Sequence, residues 1–223
     1  MVMKLFFRAM IKFIFGILLV ALLLFLPAGT FHYPNAWLFM GVLFTPMFFV
    51  GFIMMIKNPK LLEKRLNARE KESEQSLVIK LSGLMFSAGF VLAALDFRFS
   101  WLPLPKVISH TAVGIFLLAY LMYAEVLREN IYLSRIVEVQ ENQKVIDTGL
   151  YGIVRHPMYS ATVLLFLSMP FILGSFISFI AFLFYPFIIS KRIKNEERIL
   201  ETELKGYKEY KHKVKYRLIP FVW

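Results

Sequence analysis

The chain has 223 residues, 58% of them hydrophobic, and its charged residues fall into blocks separated by long segments almost free of charge. Apolar segments of about 20 residues match the hydrocarbon thickness of a bilayer, so the pattern predicts a helical membrane protein and argues against a soluble domain. With no cysteine and only four scattered histidines, the chain lacks disulfides and thiolate nucleophiles, and no metal site is expected.

Six apolar segments follow in chain order and predict an all-α fold with about six transmembrane helices. They cover residues 13–31, 36–56, 77–95, 107–127, 159–173 and 175–190. The last two are only about 15 residues long, near the lower limit for a crossing, and they contain Pro170 and Pro186. We expect them to form a C-terminal helical hairpin that turns near Gly174 and Ser175, and their length is compatible with complete or incomplete spans.

The lysines and arginines predict the orientation of these helices. With six crossings and a cytoplasmic N-terminus, 24 of the 26 basic residues face the cytoplasm, and only Arg98 and Lys106 do not. Both termini are therefore expected in the cytoplasm. The net charge of +11 follows from this topology, so membrane lipids rather than nucleic acid are the expected partners.

The charged segment between the second and third apolar segments, residues 57–76, contains apolar residues at helical spacing. They are Leu61, Leu62 and Leu66. This pattern predicts a short amphipathic helix on the cytoplasmic surface of the membrane.

The tail, residues 191–218, predicts a charged cytoplasmic helix whose apolar face carries Leu200, Leu204, Tyr207 and Tyr210. On the same helix, Glu197, Glu201 and Glu203 are expected on the solvated face. Residues 219–223 are mostly apolar, and we expect them to dock back on the membrane.

Two polar clusters flank the hairpin. The first cluster contains Gln140, Gln143, Asp147, Tyr151, Arg155, His156 and Tyr159, and the second contains Arg192, Glu196 and Glu197. Because a hairpin returns the chain to the same face, both clusters are expected to converge on one site at the membrane rim. Arg192 and Glu196 are four residues apart and therefore share a helix face.

Each cluster also has a simpler interpretation. The segment 155–157 is compatible with an interfacial anchor before a proline that starts a helix, and Tyr151 and Tyr159 with an aromatic belt. Arg192 and Glu196 are compatible with a solvated ion pair. Residue types and spacing alone leave these alternatives open.

The order and spacing of these polar residues nevertheless resemble the motifs of the isoprenylcysteine carboxyl methyltransferase and phospholipid N-methyltransferase superfamily, a group of integral membrane enzymes. The GxYxxxRHPxYxG-like segment of this superfamily corresponds to residues 149–161, although Ala161 stands where glycine is usual. Its tail motifs correspond to Glu196-Glu197, to Tyr207 and Tyr210, and to Pro220. The resemblance covers residues 137–222, with the hairpin between the motifs.

The resemblance implies methyl transfer from S-adenosylmethionine to a lipophilic acceptor that enters from the membrane. It implies catalytic roles for Arg192, His156 and Glu196, with Arg192 facing the acceptor as the substrate residue. Residues 1–127 would form an N-terminal four-helix transmembrane region, and residues 128–223 the catalytic region. The implied cofactor-binding residues are Gln140, Gln143, Lys144, Val145, Ile146, Tyr151, His156, Pro157, Met158, Tyr159 and Glu196.

The identity of the methyl acceptor stays open at this point. A carboxylate acceptor is ionised at neutral pH and needs no general base, whereas an amine needs proton removal, for which His156 or Glu196 is available. N-methylation of a phospholipid head group and methylation of a small hydrophobic thiol are the alternatives within the enzyme class. A non-catalytic scaffold or a transporter is the alternative outside it, although charged residues are nearly absent from the middles of the spans.

Overall fold

The computed structural model describes residues 2–66, 73–133 and 139–223, without the side chains of residues 2 and 73–75. Residues 67–72 of the expected surface segment, and residues 137–138 at the start of the resemblance, lie outside these ranges. In the described ranges the chain forms nine α-helices and no named strand. The helices are α1 (Val2–Ala28), α2 (Pro34–Lys57), α3 (Pro59–Leu66), α4 (Ser73–Phe99), α5 (Lys106–Glu129), α6 (Pro157–Ile172), α7 (Phe176–Phe182), α8 (Tyr185–Glu203) and α9 (Tyr207–Lys213).

Five stretches are long and apolar enough to cross a membrane: α1, α2, α4, α5 and the combined stretch Phe176–Glu203. The prediction of an all-α protein with several membrane-spanning helices is therefore confirmed. Helix α6 is apolar but has only 16 residues. At 1.5 Å per residue it is about 24 Å long, shorter than the hydrocarbon core of about 30 Å.

The two helical segments after residue 156 form the expected hairpin. Helix α6 ends at Ile172, and Gly174 takes a left-handed conformation with φ +78°. Ser175 then caps the N-terminus of α7, where its side chain accepts a hydrogen bond from the Ser178 N–H at 3.0 Å. A second break separates α7 from α8 just before Pro186, because a proline is tolerated in the first turn of a helix but not in its interior.

Helix α6 lies inside the bundle, packed along α5, while α7 packs against α4. The closest approach is between Gly89 and the Phe182 ring, where a Cβ on residue 89 would lie 2.3 Å from the ring. The hydroxyl of Tyr33, the residue just before α2, donates to the Leu173 carbonyl at 2.7 Å. These contacts hold the hairpin against α4 and the start of α2.

The amphipathic helix expected in segment 57–76 is α3, and Leu61 and Leu62 are buried. The tail is more divided than expected. Helix α8 ends at Glu203, and Gly206, with φ +88°, starts the separate helix α9.

Residues after α9 return to the bundle, so Leu218 is in the core and Trp223 packs against it. By contrast, Phe221 and Val222 are exposed.

Candidate active site

The start of α6 is held by the C-terminal segment. The backbone N–H groups of Arg155 and His156 donate to the carbonyls of Tyr216 and Arg217, both at 2.9 Å. Pro157, which has no N–H to satisfy, occupies the first helical position. As a result Arg155 and His156 are only 6% and 5% exposed, so they do not form an exposed interfacial anchor.

A buried ion cluster surrounds Glu197, which is 2% exposed, next to the contact between the start of α6 and the C-terminal segment. Its Oε1 accepts from Arg155 Nε at 2.7 Å and lies 3.2 Å from His156 Nε2, while its Oε2 accepts from Arg217 Nε at 2.8 Å. The expectation that Glu197 lies on a solvated face is therefore wrong. The face of α8 that holds residue 197 is turned toward the start of α6 and covered by the C-terminal segment.

Arg155 also donates hydrogen bonds to backbone carbonyls of the C-terminal segment. Its Nη1 donates to the carbonyls of Val214 and Lys215, each at 2.7 Å. A buried charge is tolerated where opposite charges and hydrogen bonds compensate it, and here two guanidinium groups surround one carboxylate. The cluster thus joins α6, α8 and the C-terminal segment.

A second polar chain runs beside this cluster. The Tyr159 hydroxyl donates to Glu196 Oε2 at 2.7 Å and accepts from Arg192 Nε at 2.9 Å. Arg192 and Glu196 thus share a helix face, as their spacing predicts, and both are half-buried around one tyrosine rather than fully solvated. The His156 ring lies against the Tyr159 ring, with centroids 5.7 Å apart.

These side chains open into a cavity between α6, α8, α9 and the loop before residue 149. Of the residues that the resemblance implies, the cavity is lined by Gln143, Lys144, Val145, Ile146, Tyr151, His156, Met158, Tyr159, Arg192 and Glu196. The structure therefore brings together residues from both polar clusters. Every lining residue in the described part of the chain falls between residues 130 and 210.

Two residues of the implied set do not line the cavity. Gln140 Nε2 donates to the Tyr132 carbonyl at 2.6 Å, and Gln140 Oε1 accepts from Lys64, so its side chain is bound elsewhere. Pro157 is fully buried in the first turn of α6.

The cavity also has walls that the sequence interpretation did not assign to it. They are Asn130, Tyr132, Leu133, Leu200, Leu204, Tyr207 and Tyr210; Arg155, a member of the first polar cluster, also lines the cavity. The spacing of Tyr207 and Tyr210 was the available signal, but it was assigned to an apolar helix face and to a tail motif of the resemblance, without a role in the cavity. Tyr210 donates to the Tyr151 carbonyl at 2.7 Å and so fixes this wall.

Tyr207 differs from its neighbours. Its buried hydroxyl has no hydrogen-bond partner in the described part of the chain. Burial raises the pKa of Tyr207 above its ordinary value, and the nearby charges of Glu197 and Glu196 raise it further. Tyr207 therefore keeps its proton and presents an unused donor at the cavity wall, a feature that favours a bound acceptor group.

A comparison with protein families found a match that covers part of the chain. Residues 111–202 match the model of the isoprenylcysteine carboxyl methyltransferase (ICMT) family, so the predicted resemblance is confirmed for that part of the chain. The match spans α6, α7 and nearly all of α8, and ends before Tyr207. In a comparison with curated proteins, none matches the chain.

Proposed function

We propose that this protein is an enzyme that transfers a methyl group from S-adenosylmethionine to a lipophilic carboxylate. Its residues 111–202 match a methyltransferase family, and it has helices long and apolar enough to cross a membrane. We place the reaction at the cytoplasmic membrane face, with residues 1–127 as the transmembrane region and residues 128–223 as the catalytic region. The observation that carries the proposal is a single cavity lined by Tyr159, Arg192, Glu196 and Tyr207, where Tyr159 joins Arg192 to Glu196 and the Tyr207 hydroxyl has no partner among the described residues.

The chemistry of the cavity fits this cofactor, which has an ammonium, a carboxylate and an adenosine group. Glu196 supplies an acceptor for the ammonium or a ribose hydroxyl, and Tyr207 a donor for the carboxylate. Apolar side chains of Val145, Leu200 and Leu204 line the same cavity and suit the adenine ring. When bound, S-adenosylmethionine supplies a methyl group activated by its sulfonium.

Arg192 is the residue we assign to the acceptor. A guanidinium binds a carboxylate through two parallel hydrogen bonds, which fixes both its position and its orientation. A carboxylate is already ionised at neutral pH, so no residue has to remove a proton from it. Positioning two reactants is then the main contribution of the protein to the rate.

His156 takes a positioning role in this proposal. Its Nε2 faces the Glu197 carboxylate, and its ring supports Tyr159. Tyr159 in turn holds Arg192 and Glu196, so the buried ion cluster sets the geometry of both groups.

The position of the cavity suits a lipophilic acceptor. It lies where α6 begins and where α8 changes from apolar to charged residues after Ser190. A water-soluble cofactor and a lipid tail can therefore reach it from different sides.

The test is methyl transfer by the purified protein. We expect transfer of labelled methyl from S-adenosylmethionine to an S-prenylated cysteine with a free carboxylate, and none to its methyl ester. Labelling of phosphatidylethanolamine instead would assign an amine acceptor. No cofactor binding by calorimetry would refute the enzymatic proposal altogether.

A further inference from the structure

A second cavity, of about 340 Å³, lies on the other side of Glu197 from the proposed active site. We call it the basic groove, and it is lined by Lys194, Glu197, Arg198, Glu201, Thr202, Lys208, Lys211 and Arg217. The buried ion cluster forms the wall between the two cavities, since Glu197 lines the groove while Arg155 and His156 line the other side.

The groove has more positive charge than its own acidic residues balance. Glu197 is paired with Arg155 and Arg217, and Glu201 with Lys211 at 2.5 Å. Among the residues that the structure describes, Lys194, Arg198 and Lys208 have no carboxylate within ion-pair distance. Three uncompensated cations around one concave surface favour an anion such as a phosphate.

One end of the groove lies close to the start of α6 and to the end of the apolar part of α8. The carbonyl of Arg217, a residue of the groove, accepts a hydrogen bond from the His156 N–H. The apolar helix α6 begins at Pro157, directly after His156. Lys194 is four residues beyond Ser190, or about 6 Å along α8. The head-group region beyond the hydrocarbon core is about 5–8 Å deep on each side, so the lysine reaches it.

Apolar side chains stand next to these cations. The guanidinium of Arg217 lies 5.1 Å from the Trp223 ring centroid, and the backbone N–H of Arg217 donates to the Trp223 carbonyl at 2.9 Å, which closes a compact turn. In that turn Phe221 and Val222 are 88% and 75% exposed. A cationic groove beside exposed apolar residues fits a ligand with a phosphate and an acyl chain better than a soluble anion.

We propose that the basic groove binds the head group of an anionic phospholipid, with Lys194, Arg198 and Lys208 around the phosphate and the turn 219–223 against the acyl chains. This site is separate from the proposed catalytic function and does not depend on it. It anchors the C-terminal segment that covers the buried ion cluster.

The test uses the full chain in an uncharged detergent, titrated with dioctanoyl phosphatidylglycerol and followed by native mass spectrometry. We expect saturable binding of one lipid, and much weaker binding of dioctanoyl phosphatidylcholine. Each lysine near an anionic lipid contributes about 1 kcal/mol, so the double variant K194Q/K208Q should bind about 30-fold more weakly. The charge-preserving variant K194R/K208R should retain binding, which separates loss of charge from loss of fold.

The matched control is K4Q/K60Q, which removes two exposed lysines outside the groove and should bind as the wild type does. Equal binding of the two lipids, or equal loss in both glutamine variants, would overturn the proposal. Displacement of phosphatidylglycerol by millimolar glycerol phosphate would assign the groove to a soluble phosphate and overturn the lipid assignment.

Discussion

Glu196 and Glu197 are adjacent in the chain, but their carboxylates lie in different environments. Glu196 Oε2 accepts from the Tyr159 hydroxyl at the cavity wall, whereas both oxygens of Glu197 are bound by arginines in the buried cluster. On a helix, adjacent residues point about 100° apart, so one acidic pair can supply both a ligand-facing and a structural carboxylate. The two should therefore respond differently to the same substitution.

The first prediction concerns this pair. Glu197→Gln removes the charge that compensates Arg155 and Arg217, and breaking a buried ion pair costs about 3–5 kcal/mol. Thermal unfolding in detergent should show a clearly lower midpoint. Glu196→Gln should unfold like the wild type but bind S-adenosylmethionine at least about tenfold more weakly by calorimetry, because a charged hydrogen bond contributes about 1.5–3 kcal/mol. Equal stability of the two variants would contradict the assignment.

The second prediction concerns the unpartnered hydroxyl. Tyr207→Phe removes a buried donor that has no partner in the described chain, so stability should be unchanged or slightly higher. Affinity for S-adenosylmethionine should fall about tenfold. Tyr210→Phe is the matched control, because it loses the bond to the Tyr151 carbonyl and should lower the unfolding midpoint instead.

The third prediction is the pH dependence of that tyrosine. The raised pKa of Tyr207 means that the folded protein keeps the phenol proton as pH rises past the ordinary value of about 10. The affinity ratio between the wild type and Tyr207→Phe should therefore stay constant between about pH 9 and pH 11, where a phenol of ordinary pKa loses its proton. A ratio that shrinks within this range would show that the hydroxyl ionises and is not the donor.

The fourth prediction concerns the acceptor. Arg192→Ala should leave cofactor affinity within about threefold of the wild type but abolish turnover, and Arg192→Lys should restore only part of it because a lysine binds a carboxylate at one point. Initial rates at saturating cofactor measure this effect. Lys191→Ala, an exposed neighbour on the same helix, is the control and should turn over normally. Full turnover in Arg192→Ala would remove the arginine from the acceptor site.

The fifth prediction tests the packing of the hairpin. Gly89→Ala places a methyl group 2.3 Å from the Phe182 ring, and such overpacking costs about 1–3 kcal/mol. Gly83→Ala, on the same helix with open space around it, should be neutral or stabilising. Unfolding midpoints that fall equally in both variants would mean that the α4–α7 contact is not tight.

Length and hydropathy were enough to predict the long helices α1, α2, α4 and α5, because a membrane-crossing helix needs an uninterrupted apolar run and polar loops mark its ends. The turn at Gly174 and the convergence of Tyr159, Arg192 and Glu196 were also predictable, since a hairpin returns the chain to its starting face. The motif around His156 pointed to the family that residues 111–202 match.

The tertiary structure alone decided which polar residues are buried and which face a cavity. Glu197 looked solvated because its neighbours in the chain are charged, and only the return of residues 214–217 over the start of α6 buries it. Tyr207 was assigned to an apolar helix face, although its hydroxyl lies at the cavity wall without a hydrogen-bond partner in the part of the chain that the structure describes. Helical periodicity reports the direction of a side chain on its own helix, whereas its partners come from segments distant in the chain.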